Sequence, residues 1–168
     1  MNKNIFLSLG SNLGNKTDNL KNAINFLGQN ENIFVIKKSD IFQSSPMYNI
    51  DQDDYYNMVV KIETNFNPLE LLDFVKFAES KIGRKVVQLR NMPRLIDIDI
   101  LTFDKIELNT KELTIPHRKI SERKFVLLPW MDIAPNFCVP KINKKVGFLF
   151  KNLVKDDNIV DRLSKEYI

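Results

Sequence analysis

The stretch Arg94-Leu95-Ile96-Asp97-Ile98-Asp99-Ile100-Leu101 alternates carboxylates with isoleucines at period two. A helix would scatter that pattern around its circumference, whereas a β-strand sorts it onto two faces. A chain containing it must build a sheet with an isoleucine face turned to the core and two acids side by side on the other face. Their Cβ atoms then stand roughly 7 Å apart, and at an effective dielectric near 20 two charges about 6.5 Å apart repel by about 2.5 kcal/mol. A hard cation such as Mg²⁺, which takes one or two carboxylates together with phosphate oxygens, would offset this. The strand alone leaves a second reading open, in which the acids only solvate the wet face of a half-buried strand.

Other segments supply the rest of the sheet. Residues 4 to 10, "NIFLSLG", read as a strand ended by Gly10, and Leu20, Ala23, Ile24 and Leu27 mark one apolar face of the helix that follows, with Asn15 or Thr17 as its cap. Residues 33 to 45 are β-rich and stop before Pro46, and residues 55 to 64 alternate, with Tyr56, Met58, Val60 and Ile62 opposite Tyr55, Asn57, Val59 and Lys61. A second helix is bounded by Asn67, Pro68, Glu70 and Gly83 and carries a stripe of Leu71, Val75, Ala78 and Ile82. Residues 84 to 93 read as a loop, and "LIDIDILTF" as the next strand. The order β-α-β-β-α-β predicts an α/β (α+β) ferredoxin-like sandwich, an antiparallel sheet with both helices on one face and the other face free. "LTIPH" reads as a short extended piece and Ser121 as the cap of a helix running toward Pro129. Residues 136 to 168 read as covering structure around a core of about residues 4 to 135, in one domain spanning 1 to 168.

Arg84, Lys85, Arg90 and Arg94 precede the paired acids, and Arg118, Arg123 and Lys124 follow them. Cations flanking metal-binding acids suit a polyphosphate, because arginines neutralise the charge left after Mg²⁺ and carboxylates are counted; a basic surface loop is the plainer reading. Tyr55 and Asn57 place a ring and a carboxamide on one strand face, a pair suited to a flat heterocycle, although packing at the core edge would also explain them. "GSNLGNKT" lacks the P-loop and dinucleotide spacings and reads as a turn or a close backbone approach to a ligand. His117 suits a hydrogen bond to phosphate or hydroxyl, and one histidine with one distant cysteine makes no zinc site. Cys138, the only cysteine, excludes an internal disulfide and fits a reducing, cytoplasmic setting. No apolar run approaches the ~20 residues of a membrane span. A net charge of +4 suits an anionic ligand without demanding nucleic acid.

Taken together, "SLGSNLGN", "YYNMVVKIET", "PRLIDIDIL" and "LTIPHRKISERKFVLLPWMDIAP" resemble 6-hydroxymethyl-7,8-dihydropterin pyrophosphokinase of the folate pathway, over about residues 5 to 135. The resemblance implies transfer of pyrophosphate from ATP to the hydroxymethyl oxygen of the pterin, releasing AMP. It implies that Asp97 and Asp99 hold two Mg²⁺ ions, with Arg84 and Arg94 catalytic beside them. Tyr55 and Phe125 would sandwich the pterin, Asn57 and the backbone around Ser44, Ser45 and Met47 would read its edge, and Gly10 would border it. Arg84, Arg94, Ile100, Thr114, His117 and Arg123 fall at ATP-contacting positions. The partners implied are ATP and hydroxymethyl-dihydropterin, with no nucleic acid or membrane, and fusion to or association with other folate-pathway enzymes.

Three positions depart from the family pattern. Asn91 stands where a tryptophan commonly plugs the closed lid, Val86 replaces a loop arginine, and Glu112 replaces a base near ATP. Loop 84 to 93 is expected to order over bound nucleotide all the same. The rival classes are an RNA-binding ferredoxin-like module, disfavoured by the missing aromatic RNP1 pattern, and a regulatory small-molecule-binding domain, which leaves the arginines unexplained.

Overall fold

The computed structural model describes residues 1–46, 52–83, 93–153 and 160–163. Its first strand, β1 (Asn2–Ser11), is buried from Ile5 to Leu9 because both its faces carry a core. Helix α1 (Lys16–Gly28) follows, and the Asn15 side chain, rather than Thr17, caps it by accepting from the Asp18 N–H at 3.2 Å. Then come β2 (Ile33–Lys38), β3 (Phe42–Ser44) and β4 (Tyr55–Thr64), helix α2 (Pro68–Ile82), and β5 (Asp97–Phe103). The strands order as β5-β1-β4-β3, with β2 also on β4 and every pairing antiparallel. This is the ferredoxin-like arrangement expected from the element order.

The segment 33 to 45, read from sequence as one run, is two strands. Four steps from Lys38 to Phe42 oppose three from Val60 to Asn57, so the chain carries one extra residue there. Buried Ser39 bridges the break: its N–H donates to the Val59 carbonyl at 2.9 Å, and its hydroxyl accepts from the Val59 N–H at 3.0 Å. A serine at that point fills the gap in the ladder with its own side chain.

α2 starts with a reciprocal cap. Asn67 accepts from the N–H groups of Leu69 and Glu70, and the Glu70 carboxylate accepts from the Asn67 N–H at 2.7 Å. It ends at Gly83, whose φ of 117° lies in the left-handed region, and a Cβ there would sit 2.7 Å from the Leu95 Cδ1. Gly83→Ala should lower stability by about 1–2 kcal/mol from backbone strain alone, read as a drop in urea midpoint at unchanged slope.

α1 and α2 cover one face, where Leu20, Ala23, Leu27, Leu71, Val75 and Ala78 meet Ile5, Leu7, Leu9, Met58, Val60, Ile62, Ile98 and Ile100. The other face is not free, as the sequence suggested. Phe6, Val59 and Leu101 pack there against α3 (Lys124–Ile133) and α4 (Val146–Lys151), around Trp130, Val126, Leu127, Val146 and Leu149. The apolar residues of 124 to 150 required a second core, and this face of the sheet supplies it. Ser121 does not cap α3: it lies in a 3₁₀ turn, Ile120–Glu122, and Arg123 occupies the cap position without a side-chain bond.

"LTIPH" contributes β7 (Thr114–Ile115), paired with β6 (Leu108–Asn109) off the main sheet. β8 (Cys138–Val139) and β9 (Lys144–Lys145) form a small hairpin, and β10 (Val160–Arg162) extends the main sheet beyond β3. Arg162 ties β10 down by ion pairs to Asp40, at 2.9 Å, and to Asp132. Among the described residues no helix is long and apolar enough to cross a membrane.

Candidate functional site

The register of three strands builds the site. Gly10 of β1 lies opposite Asn57 of β4 on one side and Asp97 of β5 on the other, and Ser8 lies between Val59 and Asp99 in the same way. Cross-strand partners share a face, so Asp97, Asp99, Asn57 and Tyr55 rise on the side opposite α1 and α2. Gly10 leaves a gap in that row, since a Cβ on it would stand 3.3 Å from the Asn57 Oδ1. A side chain there would crowd the Asn57 amide, which would have to give by a few tenths of an ångström, while the backbone angles at Gly10 suit any residue.

A bulge sets this parity. Phe6 pairs with Thr102 but Leu7 pairs with Ile100, so Leu101 is the extra residue. Ile98 and Ile100 face the helices, while the two aspartates remain partly exposed on the far side. Any contact Ile100 makes with a nucleotide would have to come from its backbone.

Basic groups converge on the acids. Arg94 Nη1 donates to Asp97 Oδ1 at 2.8 Å, within the range of a charge-assisted bond. Arg123 Nη1 stands 3.5 Å from Asp99 Oδ2, and His117 Nε2 stands 3.9 Å from the same oxygen. Two bonds hold His117: its backbone N–H donates to the Leu101 carbonyl at 2.9 Å, and its ring Nδ1 accepts from the Lys119 N–H at 3.2 Å. With Nδ1 accepting, the neutral ring carries its proton on Nε2, toward Asp99. Arg123 also lies 5.6 Å from the Phe125 ring, and among the described residues its buried Nε has no hydrogen-bond partner. A guanidinium beside Asp99 with a donor to spare suits an anion oxygen.

Burial pushes the Asp99 carboxyl above the usual carboxylate range, and the Asp97 charge adds to this; His117, Arg123 and Lys76 pull it back. Burial likewise pushes His117 down, with Asp99 opposing. A folded-state pKa raised above the unfolded value means that the stabilisation is present in acid and is lost as pH rises through the folded value. Above its raised folded value, Asp99 therefore costs the ligand-free protein stability. Asp99→Asn should raise the Tm of that form at pH 7, and the gain should vanish near pH 3, where the native acid is also neutral; scanning calorimetry at the two pH values checks this.

The heterocycle candidates stand next to the acids. Asn57 is buried and donates from Nδ2 to the Ser44 hydroxyl at 2.8 Å. Tyr55 reaches Gln52 with its phenol at 3.4 Å, and burial raises its pKa above the ordinary value. Phe125 sits in the first turn of α3, next to Arg123. Ser45 follows β3 directly. Thr114 accepts from Arg118 Nε at 3.1 Å and donates to Asn109 Oδ1 at 3.3 Å. Arg84 and Met47 lie outside the described residues, as does nearly all of loop 84 to 93.

Sequence reasoning missed two side chains behind the site. Asn12, 1% exposed, accepts from the Arg94 N–H at 2.7 Å and donates to Gln52 at 3.0 Å, while its own backbone N–H reaches the Arg94 carbonyl at 3.1 Å. It fixes where Arg94 enters the site, and its only trace in the sequence is membership of a Gly/Asn turn. Glu79 is equally buried. It stands four residues after Val75 and three before Ile82, so helical spacing places it on the apolar stripe, a signal that could have been read.

Two neighbouring carboxylates on one strand face are the donor type that a hard divalent cation takes. Among the described residues no group of three or more His, Cys, Asp or Glu forms a metal cluster. Mg²⁺ commonly binds one or two carboxylates, with water and phosphate oxygens completing the shell.

The family model for 7,8-dihydro-6-hydroxymethylpterin-pyrophosphokinase (HPPK) matches residues 6–135. The chain is 41% identical over 155 residues to the folic acid synthesis protein FOL1 of Dictyostelium discoideum, a match covering 92% of this chain and 23% of that one. It is 38% identical over 134 residues to the 2-amino-4-hydroxy-6-hydroxymethyldihydropteridine pyrophosphokinase of Bacillus subtilis, covering 80% of each. A crystal structure of Plasmodium falciparum HPPK-DHPS superposes with a TM-score of 0.70 at 16% identity, over 90% of this chain and 43% of that one. The chain thus spans under a quarter of FOL1 and under half of HPPK-DHPS.

Proposed function

Because the chain belongs to the 7,8-dihydro-6-hydroxymethylpterin-pyrophosphokinase family, we propose that it transfers pyrophosphate from ATP to the hydroxymethyl group of 6-hydroxymethyl-7,8-dihydropterin, giving AMP and the pterin diphosphate. The observation that carries this reading is the row Asp97–Gly10–Asn57, flanked by Arg94 and Arg123. It sets a metal-binding pair and an amide with a stacking ring on either side of a gap that has no side chain.

Asp97 and Asp99 would hold two Mg²⁺ ions. When bound, these supply charge neutralisation for the triphosphate and lower the pKa of the acceptor hydroxyl. Arg94, Arg123 and His117 donate to phosphate oxygens; both arginines already stand against the acids, at 2.8 Å and 3.5 Å. Arg84 and Thr114 complete the ATP contacts. Tyr55, on the strand across Gly10 from Asp97, and Phe125, beside Arg123, stack on the pterin while Asn57 and the backbone of Ser44, Ser45 and Met47 read its edge. The protein's part is to hold the hydroxymethyl oxygen in line with the β-phosphorus and to present fixed cations where charge shifts.

We assign this activity to one domain, in the cytoplasm, with a core of about residues 4 to 135. Association with other folate-pathway enzymes is the partner class we propose. Incubation with ATP, Mg²⁺ and hydroxymethyl-dihydropterin tests the reaction. AMP is the expected nucleotide product; ADP would mean ordinary phosphoryl transfer, and no turnover would mean a binding module.

A further inference from the structure

We propose that Glu79 of α2 is a positioning residue for the paired aspartates, acting through the backbone from the opposite face of the sheet. The inference rests on the reading of Asp97 and Asp99 as the metal ligands. Glu79 Oε1 accepts from the N–H of Ile98 at 2.7 Å, and Lys76 Nζ approaches the same carboxylate at 3.3 Å. Ile98 is the residue between the two acids, and its N–H belongs to the peptide unit that begins at the Asp97 carbonyl carbon. β5 is the outermost strand on its side of the sheet, with β1 as its only strand neighbour among the described residues. The bond from Glu79 therefore holds the edge of β5 where no further strand does.

Glu79 is 1% exposed on a helix whose other buried residues include Leu71, Val75 and Ala78. If packing were the only demand at this position, an apolar side chain would serve stability as well or better, since removing a carboxylate from water is expensive even when it is paired. What the carboxylate provides is a charge-assisted bond at the short end of the N–H···O⁻ range, made to the peptide group between the two acids. Fixing that group fixes the Cα positions from which Asp97 and Asp99 project to the other face. Loss of the bond would let the strand edge shift and the two carboxylates lose their common aim on a cation. Partners of metal ligands that set orientation in this way typically change metal affinity by about 10–100-fold when lost.

Glu79→Leu and Glu79→Asp remove the bond in different ways, the first by deleting the acceptor and the second by withdrawing it one methylene. In the metal-free protein, hydrogen exchange at the Ile98 amide should quicken by at least about tenfold in both. The Mn²⁺ concentration giving half-saturation in the presence of a non-hydrolysable ATP analogue, and the Mg²⁺ concentration giving half-maximal turnover, should each rise by at least about tenfold. KM for the pterin should stay within about twofold, and Glu79→Gln, which keeps an acceptor, should stay within about threefold of wild type in metal affinity. Should Glu79→Leu fail to fold, Glu79→Asp carries the test. A folded variant with lowered Tm but an unchanged metal midpoint would overturn the proposal, because Glu79 would then serve only the fold. Asp99→Asn in the same assays separates the two layers: if it turns over like wild type, the reading of the site itself fails, whatever Glu79 does.

Discussion

Replacing Asp97 or Asp99 by alanine should reduce turnover by at least about 10³-fold while leaving the fold intact. The loss corresponds to about 4 kcal/mol of transition-state stabilisation, an ordinary penalty for removing one fixed electrostatic element from a site where charge shifts. The two acids bear no core load: both are partly exposed and project from a strand whose other face supplies Ile98 and Ile100 to the packing. Circular dichroism and Tm should therefore match wild type or, for Asp99, exceed it, in line with the rise expected for Asp99→Asn. Opposed changes in stability and activity at one residue are the mark of a group kept for its ligand. Turnover within tenfold of wild type in either alanine variant would contradict the metal role.

The second large effect is expected at Arg123. Arg123→Ala should lower kcat/KM for ATP by about 10²–10³-fold, with the pterin KM much less affected. Arg123→Lys should recover little of it. A lysine supplies one point charge, whereas the guanidinium offers donors in a planar fork, one of which, Nε, is buried with no partner among the described residues. Full rescue by lysine would mean that the residue contributes only net charge. Steady-state kinetics with each substrate varied in turn distinguishes these cases.

The order of elements was legible because each carries its period plainly. The acids of 97 and 99 mark a strand, and the cap at Asn67 with the glycine at Gly83 brackets a helix to within a residue. The break in 33 to 45 was hidden because it depends on a serine hydroxyl filling a gap in the ladder, which no local propensity signals. The second core was hidden for another reason. Phe6, Val59 and Leu101 each look like an isolated apolar residue in its own strand, and only the sheet register gathers them beneath Trp130.

The site divides along the same line. Asp97, Asp99 and Asn57 could be named from strand alternation, but the gap between them depends on Gly10 being registered to both neighbours, a long-range fact. Arg94 and Arg123 could be named as charges near the acids. That one is tightly paired and the other keeps an unsatisfied donor follows from where α3 starts, and the chain gives no capping signal at that point.

The placement of Trp130 makes the chain its own spectroscopic probe. It is the only tryptophan, fully buried, with the Phe6 ring centroid at 5.2 Å and that of Phe137 at 5.9 Å, on the helix that begins just after Arg123. Its emission reports one location: the seam between α3 and the sheet. Intrinsic fluorescence should thus follow nucleotide arriving at the helix start without any label, and its red shift in denaturant should date the opening of that seam apart from the melting of α1 and α2.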